Sequence, residues 1–221
     1  KLTKKKATNL YYVNKDAKKM SDNIALFSKE LNQSLHTEIW SKLSFKKIMD
    51  KNIDIVIVTK IANHDINGLD QLCAEKNIKL IYFSTNYVYQ GSKGNYKESD
   101  SLLPVNNYAW SKLGGESSVQ LYKNSLILRL SMMEKPFVHK QAFANVKSSF
   151  LYHDEVAKIL FKILNKKGVL NIGGVSRSVY EFAKKSNSVV KKIYLTKKIN
   201  AEIPKNSSLN ISKLKNILKK K

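Results

Sequence analysis

One cysteine, three prolines and two arginines in 221 residues exclude several architectures before any motif is read. Cys73 has no second thiol to pair with, so neither an intrachain disulfide nor a cysteine-rich metal site can form. It sits in Leu69-Asp-Gln-Leu-Cys-Ala74, whose apolar positions fit one helix face, and this predicts a buried structural thiol. His36, His64, His139 and His153 lie far apart without ligand-like pairing, which argues against a metal centre. No apolar run reaches the ~18 residues of a membrane span. The basic start Lys1-Leu-Thr-Lys-Lys-Lys6 leads into no apolar signal core, so a cytoplasmic protein is expected. The formal charge is +23, yet apart from Arg129 and Arg177 the basic residues are lysines spread along the whole chain. Nucleic-acid readers favour the arginine fork and a contiguous basic block. The composition therefore reads first as a self-repelling lysine surface and only second as a nucleic-acid footprint.

What is present is a succession of short apolar runs alternating with helical patterns. Strands are expected at Asn9–Asn14, Asp54–Val58, Lys79–Phe83 and Ser125–Leu130, with a further short strand at Gly168–Ile172. Helices are expected at Asn23–Leu31, Ser44–Met49, Gly68–Lys76, Tyr108–Leu121, His153–Leu164, Val179–Lys185 and Ile211–Leu218. Strands apolar throughout belong in a parallel sheet covered on both faces, and such sheets take ligands at the carboxyl ends of their strands. Ser84-Thr85 lies at one of those ends. The loop from Asn86 to Asn107 is too long to be a plain connection and reads as functional.

Tyr108 and Lys112 follow that loop, four residues apart and so on one face of a helix. An ammonium near a phenol stabilises phenolate and lets the hydroxyl trade a proton with a carbonyl or alcohol near neutral pH. The spacing alone carries little, because a packed ring beside a solvated lysine is common. Its surroundings carry more. Phe83-Ser-Thr-Asn-Tyr-Val-Tyr-Gln-Gly91, Gly94-Asn-Tyr-Lys-Glu98 and Asn107-Tyr-Ala-Trp-Ser-Lys-Leu-Gly-Gly-Glu116 resemble the extended short-chain dehydrogenase/reductases, most closely the dTDP-4-dehydrorhamnose reductase group. Asn171-Ile-Gly-Gly174, Ser178-Val-Tyr-Glu-Phe182 and Pro204-Lys-Asn-Ser-Ser-Leu-Asn210 are similar to that group's later segments in order and spacing.

The resemblance implies an α/β fold: a Rossmann-like parallel sheet with helices on both faces, residues 1–130 as the dinucleotide-binding domain, and residues 131–221 as a small substrate lobe partly packed on it. It implies NADPH or NADH as cofactor, a nucleotide-linked 4-keto sugar as substrate, and a place in polysaccharide precursor synthesis. It leaves homo-oligomerisation open. Tyr108 would protonate the ketone oxygen, Lys112 would depress the phenol pKa and bind the nicotinamide ribose, and Thr85 would hold the carbonyl oxygen, with local backbone capping as the alternative for its hydroxyl. Asn86 and Tyr87 would border the substrate.

Four departures qualify it. Asn86 stands where the group usually has an acid, and Met132-Met133 where it tends to carry an aromatic substrate contact. No glycine lies between Asn14 and Asn23, where a backbone must approach a pyrophosphate. Val58 is followed by the bulky Thr59-Lys60. Lys15, Lys18, Lys19 and Lys60 either pair with phosphates or are solvated surface. The first strand is either Leu10–Asn14 or lies upstream of Lys1. No acid or arginine near Thr37–Ser41 decides between the two cofactors. Beside an active reductase stands the alternative of a non-catalytic relative that binds a nucleotide sugar and has lost its cofactor site.

Overall fold

The continuously apolar runs stack into one parallel sheet in the computed structural model, which describes residues 9–13, 34–38, 53–58, 63–196 and 202–219, the first two stretches and 63–67 by backbone only. Strands β1 (Asn9–Val13), β2 (Ser34–Glu38), β3 (Ile55–Val58), β4 (Lys79–Phe83), β5 (Ser125–Leu130) and β10 (Gly168–Ile172) lie in the order β2-β1-β3-β4-β5-β10. Every pairing is parallel, with Val13 opposite Val58 and Phe83 opposite Leu128. The chain leaves β1 for β2 on one side and returns to β3 on the other, so the topological switch point lies between the carboxyl ends of β1 and β3. The glycine-free stretch 14–23, Thr59-Lys60 and the expected helices at 23–31 and 44–49 fall outside the described residues.

Period-two alternation divides the core into two layers. Val56, Val58, Leu80, Tyr82 and Ile127 face helices α1 (Asn63–Glu75) and α2 (Asn107–Gln120), meeting Leu69, Leu72, Cys73 and Val119. Ile57, Ile81, Phe83, Leu126 and Leu128 face the other way, onto α3 (His153–Ile163) and α5 (Ser212–Lys219), meeting Val156, Leu160, Ile163 and Leu214. Cys73 is fully buried, and burial, seconded by the Asp70 charge, pushes its thiol up to about 12. Helix α1 begins at Asn63, five residues earlier than the expected Gly68. Both β10 and α3 come from beyond Leu130, so residues after 130 contribute one edge of the sheet and much of one covering layer.

Past β5 the chain makes short pairings: β6 (Met132–Met133) with β9 (Leu151–Tyr152), β7 (Gln141–Phe143) with β12 (Lys191–Ile193), and β8 (Lys147–Ser148) with β11 (Arg177–Ser178). Helix α4 (Val179–Ala183) is started by a capping box in which Ser178 and Glu181 satisfy each other's backbone N–H groups. The loop after β4 is itself a packed unit. Tyr89 and Tyr96 stack at 4.7 Å, Val88 and Leu209 close around them, and the stretch from Pro204 to Asn210 runs along the loop. Gly91 at φ +74° lets Pro204 approach so closely that an added Cβ would stand 2.0 Å from the proline Cβ.

Candidate active site

Strand β4 ends at Phe83, and the next residues begin the wall of a cleft of about 290 Å³. Ser84, Thr85, Asn86 and Tyr87 form one side, Tyr108 another, and Leu130, Ser131, Met132 and His153 close it from β5, β6 and α3. Thr85, in extended backbone, caps a single 3₁₀ turn (Asn86–Val88): its hydroxyl accepts from the Tyr87 N–H at 3.3 Å and donates to Asn86 Oδ1 at 3.4 Å. Both bonds are long, which leaves the hydroxyl able to turn toward a ligand. Tyr87 is half-buried, and that burial, with the neighbouring Tyr108 adding to it, raises its phenol pKa.

Asn86 lines the cleft, yet its amide nitrogen donates to Ser148 Oγ at 2.7 Å, Ser207 Oγ at 2.7 Å and the Ser207 carbonyl at 3.0 Å. A carbonyl can only accept, so the amide orientation is fixed and a carboxylate at this position would face an oxygen. The asparagine that replaces the group's usual acid thus ties the site loop to β8 and to the chain near Pro204.

Helix α2 places Tyr108 in its first turn because Asn106 caps it, accepting from the Ala109 N–H at 2.8 Å. Tyr108 is 55% exposed, whereas Lys112, one turn on, is 4% exposed. Lys112 is not in the cleft wall. It lies beneath the helix with Nζ 4.2 Å from the centre of the Tyr82 ring. Burial pushes its pKa down to about 7, and the Glu116 carboxylate offsets only part of that. Gly115 is what lets the helix descend this far, since a Cβ there would stand 2.3 Å from the Tyr82 hydroxyl oxygen. Gly115→Ala is expected to lower stability by about 1–3 kcal/mol through this overpacking despite its better helix propensity; a urea melt showing no loss would refute the close packing.

Glu116 is fully buried and held by Arg129 of β5, whose Nε lies 3.0 and 3.1 Å from its two oxygens and whose Nη2 lies 2.7 Å from Oε2. Arg129 Nη1 also donates to the Tyr89 hydroxyl at 2.9 Å and the Glu98 carbonyl at 3.2 Å. One guanidinium therefore joins the helix of Tyr108 to the loop of Tyr87. Sequence reading missed this pair, although Glu116 and Arg129 stand inside the segments quoted above. A lone arginine in an apolar strand was the signal that a buried partner was required. That reading placed Ser84 at a ligand-taking strand end without giving it a role, and it missed His153 as a cleft residue, which nothing in its spacing marks.

Residues 58–144 match the model of the RmlD substrate binding domain, a stretch that holds every cleft residue except His153. A probable low-salt glycan biosynthesis reductase, Agl14 of Haloferax volcanii, is 40% identical over 79 residues, which are 35% of this chain and 26% of that protein. The chain spans between about a quarter and three fifths of the length of the curated relatives it matches. In fold it is similar to a hypothetical dTDP-4-dehydrorhamnose reductase from Sulfolobus tokodaii, at TM-score 0.80 and 21% identity over 94% of each chain. It is similar as well to dTDP-4-dehydrorhamnose reductase from Bacillus anthracis, solved in complex with NADP, at TM-score 0.80 and 17% identity over 97% of this chain and 93% of that one. The Rossmann-like fold expected from the sequence is the fold of these solved structures.

Beside the cleft lies a second, larger cavity of 640 Å³, with Met133, Phe137, Ala142, Phe143, Val179 and Ile193 in its walls and Lys140 and Lys191 among its polar groups. Strand β6 divides the two cavities: Met132 borders the first and Met133 the second. No helix among the described residues is long and apolar enough to cross a membrane.

Proposed function

We propose that the protein reduces the ketone of a nucleotide-linked 4-keto sugar with NADPH or NADH, as a dTDP-4-dehydrorhamnose reductase-like oxidoreductase serving surface-glycan precursor synthesis. The observation that carries this reading is the single cleft joining Thr85, Tyr87 and Tyr108 with Lys112 buried under the same helix. Relatives named as sugar reductases, and one solved with NADP, support it. Reduction adds one hydride to the ketone carbon and one proton to its oxygen. A reduced nicotinamide supplies the hydride when bound, and the chain's own task is the proton.

Tyr108 gives that proton, and at 55% exposure its phenolate recovers another directly from water. The charged form of Lys112 favours the phenolate left behind. Thr85 turns its hydroxyl to the ketone oxygen and stabilises the charge that develops there. Asn86 holds the loop that presents Thr85 and Tyr87. The cavity beyond β6, apolar in its walls and cationic at Lys140 and Lys191, gives the nucleotide part a place on the far side of that strand from the cleft. For the cofactor, the fitting features are the switch point between β1 and β3, the buried lysine on α2, and the buried Ser84 hydroxyl, which has no partner among the described residues. Lys112 and Tyr108 would hold its nicotinamide ribose.

The test is a titration with NADPH and NADH followed by tryptophan fluorescence, Trp110 lying half-exposed on α2 beside Tyr108. Addition of a dTDP-4-keto-6-deoxy sugar should then oxidise the bound cofactor. Absence of binding at millimolar cofactor removes the reading, and binding of the nucleotide sugar without cofactor favours the non-catalytic alternative.

A further inference from the structure

Ser84 is 6% exposed, borders the cleft, and its hydroxyl has no hydrogen-bond partner among the described residues. A buried polar group left in this state has lost its water without compensation, and native structures keep few of them. Its backbone is not at fault. The Ser84 N–H donates to the Leu128 carbonyl at 2.8 Å, continuing the β4–β5 ladder one residue past Phe83. Because the ladder continues, so does the alternation of faces. Leu80 and Tyr82 point to the α1–α2 side and Ile81 and Phe83 to the α3–α5 side, so Ser84 belongs with Tyr82. That is the side on which Lys112 lies over the Tyr82 ring and Tyr108 borders the cleft.

Thr85 next to it differs in two ways. Its hydroxyl already accepts from Tyr87 and donates to Asn86, and its β-branch restricts rotation about χ1. Ser84 has neither restraint, and one rotation between staggered positions re-aims its proton. On the proposed reading of the cleft, the missing partner is an acceptor brought by the bound molecules. We propose that Ser84 is a ligand-contacting residue alongside Thr85, its hydroxyl donating to a carbonyl oxygen of the bound pair. Two such oxygens belong to the groups that meet at the reacting centre, the ketone of the sugar and the carboxamide of the nicotinamide. The experiment separates them.

Full-length wild type, Ser84→Ala and Thr85→Val are compared by melting temperature without ligand, by NADPH affinity, and by turnover of a dTDP-4-keto-6-deoxy sugar. Ser84→Ala removes an unpartnered buried hydroxyl, so its ligand-free melting temperature is expected to equal or exceed that of wild type. Thr85→Val loses a capping hydroxyl and is expected to melt lower. A carboxamide partner appears as a loss of NADPH affinity of about 3–10-fold in Ser84→Ala. A ketone partner appears as unchanged NADPH affinity with kcat lowered about 10-fold or more. The inference is overturned if Ser84→Ala melts below wild type, because the hydroxyl then has a structural partner. It is equally overturned if NADPH affinity and kcat both stay at the wild-type value. Wild type that binds neither NADPH nor the nucleotide sugar removes the proposed function, and this inference with it, in a measurement that involves no variant.

Discussion

Lys112→Met is expected to stabilise the ligand-free protein by about 2 kcal/mol near pH 6 and to lower turnover by about 10²–10⁴-fold. The two effects have one origin. Lys112 is 4% exposed, and burial has pushed its pKa down to about 7, with Glu116 offsetting only part of that. In the unfolded chain the same amine keeps its proton to about pH 10.4. Between those values the unfolded chain binds more protons than the folded one, so stability rises with pH across the interval. Below about pH 7 both states are protonated and the folded state bears the whole burden of a buried ammonium. Methionine fills similar space without charge, so its advantage is greatest in acid and fades as pH climbs toward the ordinary lysine range. The full shift would correspond to more than 2 kcal/mol; the lower figure of about 2 allows for the lost contact with the Tyr82 ring and for Glu116 losing a nearby cation.

The catalytic half of the prediction uses the same proton. Only charged Lys112 favours phenolate at Tyr108, so kcat/KM, which reports the free enzyme, is expected to fall as pH rises through about 7. Tyr108→Phe should match Lys112→Met in lost turnover but not in gained stability, because it removes no buried charge. Urea melts at two pH values and a pH–rate profile check both halves. A Lys112→Met protein less stable than wild type in acid would show that the ammonium is held by partners strong enough to outweigh its burial.

Most of the main sheet could be read from sequence because its strands are apolar on both faces, as β3, β4 and β5 show. β2 could not: Ser34-Leu-His-Thr-Glu38 is an edge strand of mixed polarity, and the run of apolar residues that marks a central strand is missing. The two- and three-residue pairings after Leu130 were equally invisible, since their register is set by contacts far apart in the chain, such as Lys191 opposite Gln141. Thr85, Tyr87 and Tyr108 were legible as a group because they lie in one family-like segment, and the structure gathers them in one cleft. The depth of Lys112 was not legible. An i, i+4 spacing puts it on the face of Tyr108, but only the glycine at 115 and the ring of Tyr82 beneath it decide how far that face sinks. Asn86 reads as a substituted acid in sequence and as a three-way tie in space, because Ser148 and Ser207 come from distant segments.

Arg129→Met is expected to destabilise the protein by about 3–5 kcal/mol, because it leaves Glu116 buried without the guanidinium that binds both its oxygens. Glu116 is 0% exposed and its carboxylate has three short bonds to that one guanidinium. The same substitution releases the Tyr89 hydroxyl and the Glu98 carbonyl, so the loop loses its tie to β5. Removing both charges separates the two contributions. In Arg129→Met/Glu116→Leu neither member of the pair is left buried without the other, and stability is expected to return to within about 1–2 kcal/mol of wild type, a recovery of roughly 2–3 kcal/mol over Arg129→Met. Turnover is not expected to return with it. The helix of Tyr108 and Lys112 would no longer be pinned to β5, and a displacement of about 1 Å at such a site costs about 10²-fold. Lys112 would also lose the carboxylate that favours its charged form, so the fall in kcat/KM with pH should begin lower in the double variant than in wild type. A variant that only unfolded more easily would show neither the recovered stability nor the shifted profile. A cost below about 1 kcal/mol for Arg129→Met would mean that water reaches Glu116 and that the pair does not position the helix.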